Sequence, residues 1–556
     1  MTSNLGKNTE IRFKRYEQNQ LVYLPVLLEE LVKENHQVQV INSLIDNIEL
    51  SLLSEGYSAF GSPAYHPKML LKVWIYAYCQ GIYTSRKLAK KLREDICFMW
   101  LSGSQSPSFK TLASFRSVRM EGVLSAVLSE VLYYLLEQDY IDINDLYIDG
   151  SKWEANANKY KIVWSKNTAR YKAGVLQRIS EFLSEIESLQ KEEDARYGSE
   201  DLAESTSTSG ELSVVLNSSE LSACVSRVEE LVSQTQDKKR KQKLKSACRK
   251  LQKEQPKLAK YEHQEELLAG RNSYVKTDTD ATGLRMKDEQ LRPGYNVQIT
   301  SSHQYILHST IHQNASDSPT LIPHLETLQA KLLPFWKEKS SPSIGADAGY
   351  GSEENYHYLA QAGMKAFVKY PLWYQEHTGK IAQKKYANQN WVYHSKEDYY
   401  LCPENRKLSF QYQSTRQTSN GYTQHYKLYE CDSCQDCPVF RACRGEKAKA
   451  ESNRKIRRNE KLLKYQAEAR EILGSEIGKE KRSQRGVDVE TPFGDIKHNM
   501  QHRRFLLRGL QKVEVEFNLL AVAHNIRKIE CEQTGKWKEY YAQRAAKKPK
   551  NTKKAA

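Results

Sequence analysis

The chain has 556 residues, with 84 Lys and Arg against 68 Asp and Glu, a net charge of +16 and a pI near 9.1. Hydrophobic residues make up 39% of it and Tyr fills 34 positions, which is enough to build packed cores and excludes a disordered chain. No segment approaches the ~20 uninterrupted apolar residues of a membrane-spanning helix, and the opening MTSNLGKNTEIRFKRY has no signal-peptide pattern.

The length predicts roughly three or four domains. The positive charge predicts a polyanionic partner, nucleic acid before an anionic membrane surface. Of the ten cysteines, Cys79, Cys97, Cys224, Cys248 and Cys531 are scattered, while Cys402, Cys431, Cys434, Cys437 and Cys443 cluster. Without an export signal, a cluster spaced by two residues argues for metal rather than disulfides, and so for a reducing cytoplasm.

Residues 1–140 read as a helical domain. From Leu21 to Leu53, Leu, Val and Ile recur at three- and four-residue spacing, and Gly61-Ser62-Pro63 breaks the pattern. Pro67 to Cys79 is a strongly apolar helix opening at its Pro. Ser85 to Glu94 begins with an N-cap and is dense in positive charge, and Ser106-Pro107-Ser108 precedes a helix from Phe109 to Arg119. Short helices joined by tight turns have the pattern of a helix-turn-helix, with Lys87, Lys90, Lys91 and Arg93 as candidate DNA contacts; core packing alone gives the same spacing.

Ile143 to Ile148 has the composition of a strand that ends at Asp149-Gly150-Ser151. A carboxylate at the C-terminal end of a strand is a common place for chemistry in α/β folds, and also a common turn former. Residues 141–164 are read as the first part of a catalytic core. Residues 165–272 shift to helix formers and charge and are read as an inserted helical arm, interrupted by a Ser/Thr/Gly patch at 205–213. Its basic run lies along DNA, packs on itself, or is a solvated face.

The core resumes at 273–370. Strand signals return at Asp278-Thr279-Asp280, where the two acids are read as turn caps in preference to ligands. Tyr295 to Thr300 and Tyr305 to Ile311 form a hairpin, which makes His308 and His312 strand residues; Tyr295 and Asn296 line a site or satisfy a turn. A helix follows Pro319 to about Leu333. Ser343 to Ala346 runs into Asp347, with a helix from Glu353 to Ala362 and a strand from Lys365 to Tyr370 behind it. This order predicts an α/β chain with a ribonuclease H-like mixed sheet flanked by helices, beside the N-terminal helical domain and the long helical insertion.

Residues 371–480 form a Cys-rich insertion that ends in a basic helix from Asn453 to Ile472. Residues 481–535 return to the core, with Arg503-Arg504-Phe505 and a closing helix from Val513 to Ile529, and 536–556 read as a disordered basic tail. In the stretch from Gln484 to Lys497, Glu490 is placed at or near a helix start. Lys497 follows seven residues later, about two turns on, which puts both on one face. A carboxylate suits a hard divalent cation and a lysine suits a phosphate; an incidental surface pair has the same spacing.

Asp149, Asp347 and Glu490 converging on one sheet edge would hold two Mg²⁺ (or Mn²⁺) ions. Such a pair activates an oxygen nucleophile and stabilises the leaving oxygen in phosphodiester displacement. Arg485 and Lys497 would neutralise the substrate phosphate. Cys431-x2-Cys434-x2-Cys437-x5-Cys443 offers four thiolates for a structural Zn²⁺, with Cys402 as an alternative ligand, and reduced thiols that merely pack are the rival reading.

Several of these stretches are specific: YIDGSKWEANANKY (147–160), KTDTDATGLRMK (276–287), GYNVQI (294–299), ADAGYGSEENY (346–356) and RGVDVETPFGDIKHNMQHRRFLLRG (485–509). With SPAYHPKMLLKVWIYAYCQGIYTSRKLAKKL near the N-terminus, the chain resembles a bacterial insertion-sequence transposase of the DDE type, from the group with an Arg…Glu…Lys signature. The resemblance implies Asp149, Asp347 and Glu490 as the metal-binding triad and Lys497 as a DNA contact, with Arg503 and Arg504 added as phosphate-binding candidates. Arg485 stands five residues before Glu490 where the group's spacing is four, and Arg482 stands where the group has a Tyr.

The function implied is metal-dependent DNA cleavage at the ends of an element, followed by strand transfer. It implies double-stranded element ends and target DNA as partners, a homodimer in a synaptic complex, and a cytoplasmic, nucleoid-associated bacterial protein. The rival readings are a catalytically inactive transposase-derived DNA-binding protein and a stand-alone metal-dependent nuclease.

Overall fold

The computed structural model describes residues 27–33, 36–49, 53, 57, 63–197, 217–332, 342–449 and 452–535. The patch at 205–213, the tail at 536–556, Gly61, Ser62 and Leu333, and the first residues of the Leu21 to Leu53 stretch lie outside these.

Among the described residues the chain opens with α1 (Gln37–Asp46), α2 (Pro67–Cys79), α3 (Ser85–Glu94), α4 (Ile96–Ser102), α5 (Phe109–Ser114) and α6 (Val123–Glu137). α2 has its Pro in the first turn, where no N–H is missed. Its one buried lysine, Lys72, is neutralised by Asp46 at 2.6 Å and donates to Asn42 Oδ1 at 2.7 Å. The short helices are set by capping side chains. Thr84, one residue before the expected cap, accepts from Lys87 N; Asp95 accepts from Cys97 N and Ser108 from Thr111 N. The expected helix to Arg119 instead widens to a π segment from Phe115, with Met120 N bonding to Phe115 O. There Arg116 turns inward to the Tyr83 carbonyl and lies over the Trp74 ring.

β1 (Asp145–Glu154) follows, then β2 (Ile162–Trp164), which pairs with β3 (Ser273–Val275) at the base of the arm. The arm is α7 (Ser165–Tyr197), α8 (Ser218–Gln234) and α9 (Lys238–Leu268), which bury a core of their own around Ile186, Val228, Leu244 and Leu251.

The main sheet adds β4 (Thr282–Arg285), β5 (Leu291–Ser302), β6 (Tyr305–His312), β7 (Ser343–Ala346) and β8 (Lys365–Val368), with α10 (Leu321–Leu332) before β7 and α11 (Glu353–Gln361) between β7 and β8. Its strands run β4-β5-β1-β7-β8, with β6 also on β5. β5 is antiparallel to β1, whereas β7 is parallel to β1 and β8 to β7, the last step crossing by α11. This is the expected ribonuclease H-like mixed sheet. The hairpin β5–β6 turns on His303 and Gln304, both at positive φ, as a two-residue turn requires. Asp278 and Asp280 are turn residues rather than the start of a strand: their carboxylates accept from Gly509 N and Leu510 N, and Tyr295 donates to Asp278.

After α12 (Trp373–His377), the Cys-rich insertion is a five-stranded antiparallel sheet of β9 (Val392–His394), β10 (Tyr399–Leu401), β11 (Lys407–Gln417), β12 (Thr423–Cys431) and β13 (Lys455–Arg458), with α13 (Phe440–Arg444) between the last two. The expected helix from Asn453 is thus a strand first. The helix, α14 (Glu460–Gly474), starts only after Asn459, whose side chain caps Leu462 N and donates to buried Glu353.

α15 (Glu476–Gly494) is capped by Ser475, passes into a π segment at Asp495–Asn499, and leads to α16 (Leu510–Gln533). Glu490 therefore sits well inside a helix, not at its start. Pro492 lies inside α15, and Ser301 Oγ donates to the Asp488 carbonyl that Pro492 leaves without its donor. α2, α6, the sheet and α16 share one uninterrupted hydrophobic core, so residue 140 marks a boundary in sequence but not in packing.

Candidate active site

β1 and β7 are in parallel register with Tyr147 opposite Gly345. Asp149 and Asp347 each stand two residues beyond that pair, so the period of a strand carries both to the same level. β1 does not end at Asp149 as expected. Its far half, through Glu154, stays paired with β5. Gly150 fits this path because a Cβ there would stand 2.4 Å from Gln298 and 2.7 Å from Asp317. Asp347 leaves β7 at once and turns the chain by accepting from Gly349 N at 2.8 Å.

Arg485 enters from α15. Its Nη2 lies 2.9 Å from Asp149 Oδ1 and 3.8 Å from Asp347 Oδ2, with the side chain only 12% exposed. Burial raises Asp149 to a pKa of about 6; Arg485 opposes the rise, and Asp347 and Asp317 add to it.

Asp317 is an acid of this site that the sequence reading missed. It follows β6 in HQNASDSPT, a stretch without periodicity whose one signal is an acid before Ser-Pro. Asn296 and Gln298 donate to it at 2.7 and 3.1 Å, and Tyr350 donates to Gln298 in turn. Asn296 therefore lines the site, while Tyr295 serves a turn.

Glu490 is not in contact with the two aspartates. Five residues beyond Arg485 on the helix it points about 140° away from it, into solvent. Its link to the site runs through Lys369 at the end of β8. Burial, then Arg485 and Arg482, lower the pKa of that ammonium, and Asp347 and Glu490 act the other way. The acids fit a divalent cation by donor type and by charge: hard oxygens converge, and a guanidinium already lies between two of them. Among the described residues no three His, Cys, Asp or Glu side chains close on one point as they stand; Arg485 is what Asp149 and Asp347 share.

Lys497 and Glu490 do not share a face, because the π segment re-aims Lys497. Its Nζ donates to Ser151 Oγ at 2.6 Å and lies 4.0 Å from the Trp153 ring centre. Ser151 is two residues from Asp149, on the same face of β1. Burial lowers Lys497 to a pKa of about 8, Lys287 adds to the shift, and Asp149 opposes it.

Lys497, His498 and Arg503 open onto a cleft of about 670 Å³ that also takes in Lys152, Arg285, Lys287, Arg292 and Asp317. The first four of these basic groups from β1 and the β4–β5 hairpin were not singled out from sequence, because scattered positives in strands carry no spacing signal. Arg504 instead braces the end of β1, donating to the carbonyls of Ala155 and Ala157. Lys87, Lys90, Lys91 and Arg93 lie on α3, whose Leu88 and Leu92 face the core; Lys90 pairs with Glu94 on the same helix and Lys91 with Asp95 just beyond it. The structure does not bring these four into contact with the acids.

The Lys497 shift gives a pH prediction. The charged form exists below about pH 8, so a phosphate contact by Lys497, were it made, would be strongest there and would weaken as pH rises through about 8. Stability runs the opposite way: the lysine's contribution is full above its ordinary pKa and is lost as pH falls through about 8. Fluorescence anisotropy with a DNA duplex, from about pH 7 to 9, should show affinity falling in the native protein and holding in Lys497→Arg, whose guanidinium stays charged. A flat native profile would remove Lys497 from the phosphate contacts.

Two family models match the chain: Transposase DDE domain over residues 401–530 and Transposase domain (DUF772) over residues 26–118. The first takes in β11 to β13 of the Cys-rich sheet, Arg485, Glu490 and Lys497; the second spans α1 to α5. No curated protein and no solved structure gives a match. Among the described residues no helix is long and apolar enough to cross a membrane.

Proposed function

We propose that this chain, which matches transposase family models over residues 401–530 and 26–118, is an insertion-sequence transposase of the DDE type that cuts DNA at the ends of an element and joins the freed 3′-hydroxyl to target DNA. The observation that carries the reading is the meeting of Asp149 and Asp347 across adjacent parallel strands on one guanidinium. Asp149 and Asp347 would hold a divalent ion, and Glu490, exposed on α15 and out of contact with both, would have to turn in to complete the set. A bound pair of Mg²⁺ or Mn²⁺ ions supplies an activated oxygen nucleophile and a stabilised leaving oxygen.

The chain's own groups do the rest. Asp317, held by Asn296 and Gln298, fixes the acidic end of the cleft. Lys497, Lys287 and Arg503 carry the phosphates, and Arg485 neutralises the carboxylates until another cation takes its place. Lys87, Lys90, Lys91 and Arg93 would read or hold the duplex through the N-terminal helices. Two DNA ends must be held at once, which calls for a homodimer in a synaptic complex.

Incubation with Mg²⁺ and duplexes carrying the element's own ends separates this reading from its rivals. Cutting with joining is the expected result. Cutting alone would leave a nuclease, and binding alone a DNA-binding descendant. Binding should also weaken steeply with salt, log K falling by about 0.9 per tenfold salt for each phosphate neutralised. A slope near zero would reject the basic cleft as the footprint.

A further inference from the structure

The clustered cysteines meet around one small cavity in the five-stranded sheet. Cys402 follows β10, Cys431 closes β12, Cys434 and Cys437 lie on the loop behind it, and Cys443 is on α13. All five line a space of about 20 Å³. That is room for about one water-sized sphere, too little for an organic ligand and suited to a single ion.

The sulfurs are not equivalent. Cys402 Sγ accepts from Arg406 N at 3.3 Å and Cys434 Sγ accepts from Arg454 N at 3.2 Å. Each sulfur accepts a backbone N–H, a contact that strengthens when the thiol gives up its proton to a metal. Cys431 differs in setting: its Sγ contacts the Ser433 carbonyl at 3.4 Å and hydrogen-bonds to Cys434, and it is only 2% exposed in the core of the sheet, paired in register with Leu408.

The wall of the cavity supplies a second observation. Arg444 Nε, Arg454 Nε and Trp391 Nε1 are buried donors with no acceptor among the described residues. Buried donors without partners cost free energy, and anionic sulfur inside this wall would satisfy them. Arg406 further ties the loop to the Cys402 side by donating to the carbonyls of Ser433 and Gln435.

We propose that Cys402, Cys434, Cys437 and Cys443 hold a structural Zn²⁺ and that Cys431 is a core thiol outside the set. Binding releases four S–H protons and leaves a tetrathiolate site of net charge −2, which Arg406, Arg444 and Arg454 offset. The sulfurs line the cavity without yet converging on one point, so the ion draws them in. Four protein ligands with no open position make this a closed, non-catalytic centre. It fixes the loop whose next element, β13, leads through the Asn459 cap into α14 and α15, the helix that carries Arg485. This inference does not depend on the transposase reading.

The test is metal analysis of the full-length chain, purified under reducing conditions without chelator. About one Zn²⁺ per chain is expected, retained in Cys431→Ser and lost in Cys402→Ser and Cys437→Ser. Because ligand variants can fail to fold, the native chain and Cys431→Ser are also stripped and loaded with Co²⁺ alone. Both should then give the visible absorption of tetrahedral Co²⁺–thiolate. Absence of both stoichiometric zinc and that spectrum would overturn the site, and loss of metal in Cys431→Ser with retention in Cys402→Ser would overturn the ligand choice.

Discussion

Asp347→Asn should lower DNA cleavage by at least roughly a thousandfold, the equivalent of about 4 kcal/mol of transition-state stabilisation, while leaving duplex affinity intact. The substitution keeps the side chain's shape and its turn-forming acceptor for Gly349 N, and it removes one negative charge beside Asp149 and Arg485. Affinity is spared because a carboxylate makes no attractive contact with phosphate; removing it slightly favours binding. Single-turnover cleavage of an end duplex, with anisotropy on the same duplex, reads both quantities. Cleavage within about tenfold of the native rate would remove Asp347 from the chemistry.

Trp153→Ala should cost about 3–5 kcal/mol of stability. The side chain is fully buried on β1, packed against Phe493, Phe505 and Phe517 at ring distances of 5.7, 6.3 and 5.4 Å. Its Nε1 donates to the His502 carbonyl at 3.1 Å. It joins β1 to α15, to the segment after it and to α16, and its face supports the Lys497 ammonium. Trp153→Phe keeps a ring in place and gives up the hydrogen bond, for about 1 kcal/mol. Urea unfolding of the three proteins checks this. A Trp153→Ala loss under about 1 kcal/mol would mean that the aromatic cluster does not hold these elements together.

The parts of the fold with strong local signals were legible. Pro67 opened α2, alternation marked β5 and β6 with their turn, and the run into Asp347 marked β7. At Asp149 the local signal misled. Gly150-Ser151 has the look of a turn, yet the glycine is there because Gln298 and Asp317 approach it from other elements. Glu490 was placed near a helix start, yet α15 runs through it and past Pro492, where a hydroxyl from β5 takes up the Asp488 carbonyl. Asp317, Lys369 and the basic groups of the β4–β5 hairpin are brought to the site only by tertiary packing, so no spacing in sequence points to them. The cysteine spacing located the cluster but could not separate Cys402 from Cys431, because that distinction rests on which sulfur accepts a backbone N–H and which lies against a carbonyl in the core of the sheet.

The most direct measurement is anomalous diffraction from crystals of the chain soaked in Mn²⁺. The expected result is a peak bounded by Asp149 and Asp347, with the Arg485 guanidinium displaced from between them and no peak in Asp347→Asn. Mn²⁺-supported cleavage in solution combined with an empty Asp149–Asp347 position in the crystal would contradict the account.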